Sequence, residues 1–137
     1  MSVDPVALVQ RFLGCWNRRD LAAALSCVDP DIEFDWSESR GPFSGIYTGR
    51  NGIKRFWSDM LDAWDTFHLE LEEGITVGPG LVMTSNAVHA RGKGSGVEVH
   101  ARGAMTWRVR DDKILEARFF QTKEEALVAV AGPTRTS

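Results

Sequence analysis

Two carboxylates in strand-like segments, Asp35 and Glu73, are the side chains that could act as a general base. A carboxylate enclosed in an apolar pocket has a raised pKa and can accept a proton near neutral pH. Asp35 precedes the apolar Trp36, so the alternation of a strand turns it to the other face and predicts a surface carboxylate. Glu73 shares the inward parity of Leu71, unless a bulge at residues 71–74 turns it into water, which the sequence favours.

The amides of Asn86 and Gln121 indicate binding rather than proton transfer. Hairpin turns at Gly78-Pro79, around Gly94-Ser95 and at residues 111–113 fix one register for four consecutive strands. In that register Leu71, Asn86, Gly103 and Gln121 lie side by side on the inward face. Because Gly103 has no side chain, we expect the two amides to overlook a gap that part of a small molecule could fill. The alternative is that the amides hydrogen-bond each other and aromatic side chains fill the core.

Three histidines, His68, His89 and His100, fall on the outward face in the same register, on adjacent strands. Neighbouring strands are about 4.8 Å apart, so these imidazoles could bind a metal ion or make self-association depend on pH. The sequence shows no acidic second shell around them, and ordinary residues of a dimer face are the simpler interpretation. We therefore predict no metal site. We also predict no cofactor, because the sequence has no nucleotide, haem or flavin motif.

Helices at the start of the chain and strands at its end must position these residues. Asp4 followed by Pro5 starts a first helix, and a short second helix follows. A strand at residues 32–36 leads to a loop at residues 37–49 that could cover a pocket. Apolar residues at helical spacing then predict a third helix around residues 53–64. Four strands and a last helix complete the chain.

Two of the later strands, at residues 81–90 and 97–110, exceed the usual length of about five or six residues. Strands of this length twist and curl, and Gly103 gives the second one a place to bend. The predicted fold class is therefore α+β. A curved antiparallel sheet wraps around the N-terminal helices and forms a cone with an internal pocket.

Composition limits the possible partners. The chain has 137 residues, is 43% hydrophobic and carries a net charge of -3. This suits one domain at residues 1–132 with a flexible tail at 133–137. Without a basic surface or an apolar run of about 18 residues, we expect neither nucleic acid nor a membrane as partner. The start of the chain has no basic region before its apolar stretch, and Cys15 and Cys27 are predicted to be buried free thiols. We therefore expect a cytoplasmic protein.

Several local phrases, in this order, resemble the SnoaL-like group of the nuclear-transport-factor-2-like superfamily. They are Val9-Gln10-Arg11-Phe12 through Trp16-Asn17 to Asp20-Leu21, then Asp29-Pro30-Asp31-Ile32-Glu33-Phe34, Tyr47-Thr48-Gly49 before Gly52-Ile53, Lys113-Ile114, and Phe119-Phe120 before Glu125-Ala126-Leu127. The resemblance covers about residues 6–132 and implies the cone fold. Members of the superfamily include ketosteroid isomerases, polyketide cyclases, dehydratases, epoxide hydrolases and proteins of no known activity, so the fold does not imply one function.

The resemblance also shows which catalytic groups are missing. Ketosteroid isomerases use a tyrosine, a carboxylate base and a protonated aspartate, and these positions fall on Phe12, Trp36 and Met105. A supporting tyrosine falls on Trp57. None of these side chains can abstract a proton or hydrogen-bond an enolate in that way, so we expect no isomerase activity of this type. The acid/base aspartate of SnoaL-like cyclases falls on Gln121, whose amide has no useful pKa.

The function predicted first is binding of a small, mostly apolar, neutral molecule in the cone. The predicted ligand-binding residues are Trp16, Trp36, Tyr47, Trp57, Asn86, Met105, Trp107, Phe119 and Gln121. A mostly apolar wall with a few polar groups is usual for a ligand pocket. One alternative is a cofactor-free isomerase, cyclase, dehydratase or hydrolase that uses Glu73 or Asp35. Another is a non-catalytic interaction domain with a collapsed cavity. Whichever function applies, we expect a homodimer through the outer sheet face.

Overall fold

The computed structural model describes residues 4–38 and 45–131, and within them it has four helices and six strands. In chain order they are α1 (Pro5–Asn17), α2 (Leu21–Leu25), β1 (Val28–Asp35), β2 (Ile46–Thr48), α3 (Gly49–Ala63), β3 (Trp64–Gly78), β4 (Leu81–Gly92), β5 (Glu98–Arg110), β6 (Lys113–Phe120) and α4 (Lys123–Ala131). Part of the loop predicted at 37–49 and the tail predicted at 133–137 lie outside the described residues.

The first two helices each start after an aspartate that caps them. Asp4 Oδ1 accepts a hydrogen bond of 3.4 Å from the N–H of Val6. Asp20 Oδ1 accepts one of 3.1 Å from the N–H of Ala23. Each aspartate satisfies an N–H that has no partner inside the helix. α1 then buries one apolar side, which comprises Leu8, Val9, Phe12, Leu13, Cys15 and Trp16.

The region between β1 and α3 contains more secondary structure than expected. The C-terminal part of the predicted loop forms strand β2, and α3 begins at Gly49 rather than near Ile53. β2 pairs with the end of β1 through Phe34 and Tyr47. A three-residue strand is too short to show a period in the sequence, which explains why this segment was expected to be a loop. The described part of the predicted loop therefore contains an edge strand.

The six strands form a curved, unclosed sheet in the order β2-β1-β6-β5-β4-β3. β3, β4, β5 and β6 form the antiparallel meander that the turns predict. The sheet is mixed rather than wholly antiparallel, because β1 runs parallel to β6. Pro30, which has no N–H, lies where the β1 and β6 pairing is interrupted between Val28 and Glu33.

The predicted register is confirmed at the rows that carry the functional predictions. Asn86 pairs with Leu71 on one side and with Gly103 on the other. His89 likewise pairs with both His68 and His100. The rows of inward and outward residues in the centre of the sheet are therefore those that strand alternation predicts.

Two irregularities change which residues face inward at the ends of the strands. The register of β3 shifts between Leu71 and Glu73, so that Glu73 pairs with Ser85. A second shift, in the pairing of β5 with β6, places Val109 opposite Ile114. As a result the Ile114 side chain is fully buried in the core.

Two apolar clusters hold the sheet. The larger lies between the inner face, α1 and α3. The smaller consists of Met83, Ala104, Phe120 and Ala126, and it lies under α4 on the outer face. α4 starts at a capping box, in which Glu125 N donates to Thr122 Oγ1 (3.1 Å) and Thr122 N donates to Glu125 Oε1 (3.2 Å). α4 therefore covers one part of the outer face and leaves the rest open.

No helix in the described part of the chain is long and apolar enough to cross a membrane.

Candidate functional site

The interior of the cone is lined by aromatic rings from α1, β1 and α3. The Trp16 and Trp57 rings have centroids 4.7 Å apart, and the Trp36 and Phe56 rings 5.2 Å. Most pairs are tilted or edge-to-face, the arrangements that aromatic quadrupoles favour. The predicted lining residues on these elements are therefore together, and the surface they form is apolar.

A chain of hydrogen bonds crosses this apolar lining on β4 and β5. Trp107 Nε1 donates to Thr84 Oγ1 at 3.0 Å, and Thr84 Oγ1 donates to Asn86 Oδ1 at 2.7 Å. An indole N–H can only donate, so it makes the Thr84 oxygen an acceptor and leaves the hydroxyl proton for Asn86. This order fixes the Asn86 amide with its oxygen toward Thr84.

The fixed orientation leaves the Asn86 nitrogen unsatisfied. Asn86 is fully buried, and its Nδ2 has no hydrogen-bond partner within the described residues. A buried donor without a partner costs about 1–3 kcal/mol, so native proteins contain few of them. Sequence reasoning identified Asn86 but missed Thr84. The signal was its position two residues before Asn86 on the same inward face.

The space beside Gly103 is occupied by a ring of the protein itself. A Cβ atom at Gly103 would lie 2.7 Å from Cε1 and Cζ of Phe119. The Phe119 ring is also stacked on Trp36, with a centroid distance of 4.7 Å and an interplanar angle of 4°. The prediction of an open gap over Gly103 is therefore wrong. Strand register alone does not tell which neighbouring ring packs over a glycine.

Trp36 carries a second unsatisfied donor. Its Nε1 is buried and has no hydrogen-bond partner among residues 4–38 and 45–131. The backbone at Trp36 is held by its N–H, which donates to Gly45 O at 2.7 Å. The Trp36 side chain therefore contributes both a ring face and an available N–H to the interior.

The Gln121 amide is not hydrogen-bonded to the Asn86 amide. Its Nε2 donates instead to the backbone oxygen of Glu38 at 2.6 Å. Glu38 directly follows Ser37 after the end of β1, so this bond ties the end of β6 to the chain beyond Trp36. The alternative in which the two amides satisfy each other is not found.

Tyr47, one of the predicted ligand-binding residues, packs on α3. Its ring meets Phe56 edge-on at 5.1 Å, and the Arg55 guanidinium lies 5.0 Å above it. Burial raises the pKa of Tyr47, so its hydroxyl stays protonated as a donor. The remaining predicted lining residues, Met105 and Trp107, are fully buried on β5.

The three isomerase-like positions lie inside the cone, as the resemblance implies. Phe12, Trp36 and Met105 are all buried members of the inner cluster. They place two rings and a thioether where isomerases have a hydroxyl and two carboxyl groups. Neither proton abstraction nor hydrogen bonding to an enolate in the manner of these isomerases is available from them.

Both candidate carboxylates lie outside the cone interior. Asp35 is the one charged side chain that is buried among the described residues, and it faces Arg118 Nε at 3.6 Å. Its Oδ1 also accepts from the hydroxyl of Ser37 at 2.6 Å. Glu73 is exposed and bonds Lys123 Nζ at 3.0 Å, because the bulge in β3 turns it outward. Among the described residues, the interior therefore offers hydrogen-bond donors and apolar surface but no charged base.

The chain is similar to proteins of one superfamily. A family model described as the SnoaL-like domain matches residues 9–117. No curated protein matches the chain. An NTF2-like protein from Burkholderia thailandensis is 25% identical, with a TM-score of 0.78 over 94% of this chain and 97% of that one.

Two further solved structures contain small molecules. TerC, co-crystallised with polyporic acid, is 19% identical, with a TM-score of 0.75 over 91% of this chain and 95% of its own. A protein from Mycobacterium tuberculosis in complex with estradiol-17beta-hemisuccinate is 18% identical, with a TM-score of 0.74 over 89% and 97% of the two chains. At these identities the likeness establishes the cone fold.

Proposed function

The chain belongs to the SnoaL-like domain family, and from this premise we propose that it binds a small, mostly apolar, neutral molecule inside the cone. The observation that carries the proposal is the Asn86 amide nitrogen. It is fully buried, oriented by Thr84, and without a partner in the described part of the chain. A ligand with an acceptor oxygen would remove the cost of this unpaired donor.

The second donor supports the same class of ligand. Trp36 Nε1 is buried and likewise has no partner among the described residues. Carbonyl and ether oxygens accept from such N–H groups, so we propose a ligand that carries at least one of them. The ring faces of Trp36 and Phe119, which now stack on each other, would contact its apolar part.

Neutrality of the ligand follows from the charges of the site. Burying an ion without a partner is far more costly than burying a neutral polar group. Asp35, the buried charged side chain in the described ranges, is already paired with Arg118 on the other face. A charged ligand would therefore find no counter-ion among the residues proposed to line the site.

The known ligands of similar proteins agree with a binding role. Polyporic acid and estradiol-17beta-hemisuccinate occur with TerC and with the M. tuberculosis protein. We propose that this chain also takes a small molecule and holds it without proton transfer by Asp35 or Glu73. This favours binding over the isomerase, cyclase, dehydratase or hydrolase alternatives that need one of these carboxylates.

We further propose a homodimer through the part of the outer face that α4 leaves open. Ion pairs between strands lie on this part of the face, Arg91 with Glu98 at 2.9 Å and Arg102 with Glu72 at 3.1 Å. A curved strand face of this kind can pair with a second copy by self-complementary contacts.

We also propose that the protein acts in the cytoplasm. Cys15 and Cys27 are buried and form no disulfide bond, which is compatible with this location.

Native mass spectrometry of the protein purified from its own host tests the binding proposal. We expect an additional mass from a neutral organic molecule that is lost on gentle activation. Titration with 2-acetylnaphthalene, an apolar ketone, should in addition quench the tryptophan fluorescence in a saturable way, because Trp16, Trp36 and Trp57 line the interior. Absence of both the extra mass and the quenching would support the collapsed interaction domain instead.

A further inference from the structure

Two histidine side chains meet on the outer face, away from the cone interior. His89 on β4 and His100 on β5 are directly opposite in register, and their Nδ1 atoms are 2.8 Å apart. Both side chains are well exposed, at 42% and 63%. A hydrogen bond between two imidazole nitrogens needs one proton between them, so one ring donates and the other accepts. The two nitrogens therefore converge on a single point between the strands.

Each of these imidazoles faces a carboxylate at its other nitrogen. His89 Nε2 lies 3.3 Å from Glu70 Oε1, and His100 Nε2 lies 3.6 Å from Glu98 Oε1. This arrangement is typical of metal-binding histidines, whose second nitrogen usually donates to a carboxylate that fixes the ring. The sequence alone showed no acidic second shell. The structure supplies one: Glu70 lies on the neighbouring strand β3, and Glu98 lies on β5, two residues before His100.

The surrounding charges favour a cation. Three carboxylates, Glu70, Glu72 and Glu98, lie beside the pair, against two guanidinium groups. Arg102 bonds Glu72 at 3.1 Å, and Arg91 bonds Glu98 at 2.9 Å. Glu70 has His89 as its partner across the strands, so one negative charge remains in excess.

We propose that His89 and His100 form a binding site for a divalent transition-metal ion that prefers imidazole, with Zn²⁺ as the representative ion. In this site the ion replaces the proton shared by the two Nδ1 atoms. With Zn–N distances of about 2.0–2.1 Å and tetrahedral angles, the two nitrogens would be about 3.3 Å apart. The present 2.8 Å requires them to separate by roughly half an ångström, which exposed side chains allow.

The other coordination positions are open to water. The groove beside the pair has a volume of ≈ 460 Å³ and is lined by Glu70, Glu72, Ala87, His89, His100, Ala101 and Arg102. The described residues contain no preformed group of three or more ligands, so the site offers two nitrogens and solvent. We therefore expect reversible rather than structural metal binding. Both ligand nitrogens come from one chain. The pair lies on the outer face that the proposed dimer would use, so a dimer that covers these histidines would compete with zinc for them.

His68 provides a matched control. It lies in the same row on β3, and its ring centroid is 6.4 Å from that of His89. It is exposed like the other two, but its ring is tilted to that of His89 rather than hydrogen-bonded to it. Removal of His68 removes an imidazole of the same row and leaves the converging nitrogens intact.

Isothermal titration of the tag-free protein with ZnCl₂, with MgCl₂ as a parallel control, tests the site. We expect Zn²⁺ to bind with one ion per chain and Mg²⁺ not to bind. His89→Ala and His100→Ala should each abolish zinc binding, and His68→Ala should retain it. Glu98→Gln should weaken zinc binding about ten-fold, as loss of a carboxylate behind a metal-binding histidine does.

A second measurement covers variants that fold poorly. In the wild-type protein, substoichiometric Cu²⁺ should broaden the imidazole proton signals of His89 and His100 before those of His68. Zinc binding that survives both His89→Ala and His100→Ala would overturn the proposal. So would broadening that is equal at all three histidines, or the absence of any zinc binding to the wild type.

Discussion

The indole of Trp36 and the ring of Phe119 are stacked almost in parallel, 4.7 Å apart with 4° between their planes. Phe119 belongs to β6, and its ring lies over Gly103 of β5. Trp36 follows the end of β1, the strand that pairs parallel with β6. The stack therefore joins three strands on the inner face at the place where the two unsatisfied donors, Trp36 Nε1 and Asn86 Nδ2, are found.

Gly103→Ala is expected to disturb this stack. The new Cβ would lie 2.7 Å from Phe119 and 2.9 Å from the backbone oxygen of Phe120, and the backbone atom cannot move aside cheaply. Overpacking of this kind costs about 1–3 kcal/mol, which urea unfolding of the variant should show as a lower midpoint. Gly78→Ala is the control, because its Cβ would meet only Leu81 at 3.8 Å. Equal stability of the two variants would contradict the packing of Phe119 on Gly103.

The central rows of the sheet could be predicted from the sequence. Alternation and glycine-rich turns placed Asn86 beside Gly103 and His89 beside His100, and the fold follows from the resemblance that the family model confirms. What alternation cannot supply is the direction in which a side chain leans along its own face. The Phe119 ring over Gly103 and the Gln121 amide on Glu38 both depend on such directions.

Contacts between distant segments were also outside the reach of the sequence. The parallel pairing of β1 with β6 joins strands about eighty residues apart, and no turn specifies it. The sequence favoured a bulge that exposes Glu73, and the register shift in β3 confirms it. The pairing of Glu70 and Glu98 with the histidines required the register and the side-chain rotamers together.

Asp35→Ala should affect stability without affecting the proposed ligand site. It leaves the Ser37 hydroxyl without its acceptor and the Arg118 guanidinium without its ion-pair partner, so we expect a loss of about 1–3 kcal/mol in urea unfolding. Affinity for 2-acetylnaphthalene should stay unchanged, because Asp35 faces away from the interior. Glu116→Ala breaks a more exposed pair with Arg108 at 3.9 Å and should cost no more than about 1 kcal/mol. A large loss of ligand affinity in Asp35→Ala would instead support a role for this carboxylate in the site.

Arg91→Leu should raise the pKa of Glu98. The hydrogen bond from Arg91 is the main cause of the lowered pKa, followed by the charge of Arg91 and by His100. A carboxyl whose pKa is lower in the folded state stabilises the fold above its unfolded pKa, and this contribution is lost as the pH falls through the folded value. The NMR titration of the Glu98 carboxyl carbon should therefore have its midpoint at higher pH in Arg91→Leu. The same midpoint in both proteins would show that Arg91 does not hold this carboxylate in solution.

The central claim is that the Asn86 amide N–H anchors an acceptor oxygen of an apolar ligand. A matched pair of ligands, 2-acetylnaphthalene and 2-ethylnaphthalene, differs mainly in one carbonyl oxygen. Ser85→Ala is the matched protein control. Ser85 directly precedes Asn86 on β4, and it lies on the outward face, where it pairs with Glu73. The thermal midpoint of each variant establishes that it is folded before its affinity is compared.

The decisive measurement is the ratio of the two affinities in the wild type and in Asn86→Leu, by calorimetric titration. The wild type and Ser85→Ala should prefer the ketone about ten-fold, since one hydrogen bond to an otherwise unpaired donor contributes about 1.4 kcal/mol. In Asn86→Leu this preference should disappear while 2-ethylnaphthalene still binds. A ketone preference that persists in Asn86→Leu, or a wild-type protein that binds neither compound, would contradict the account.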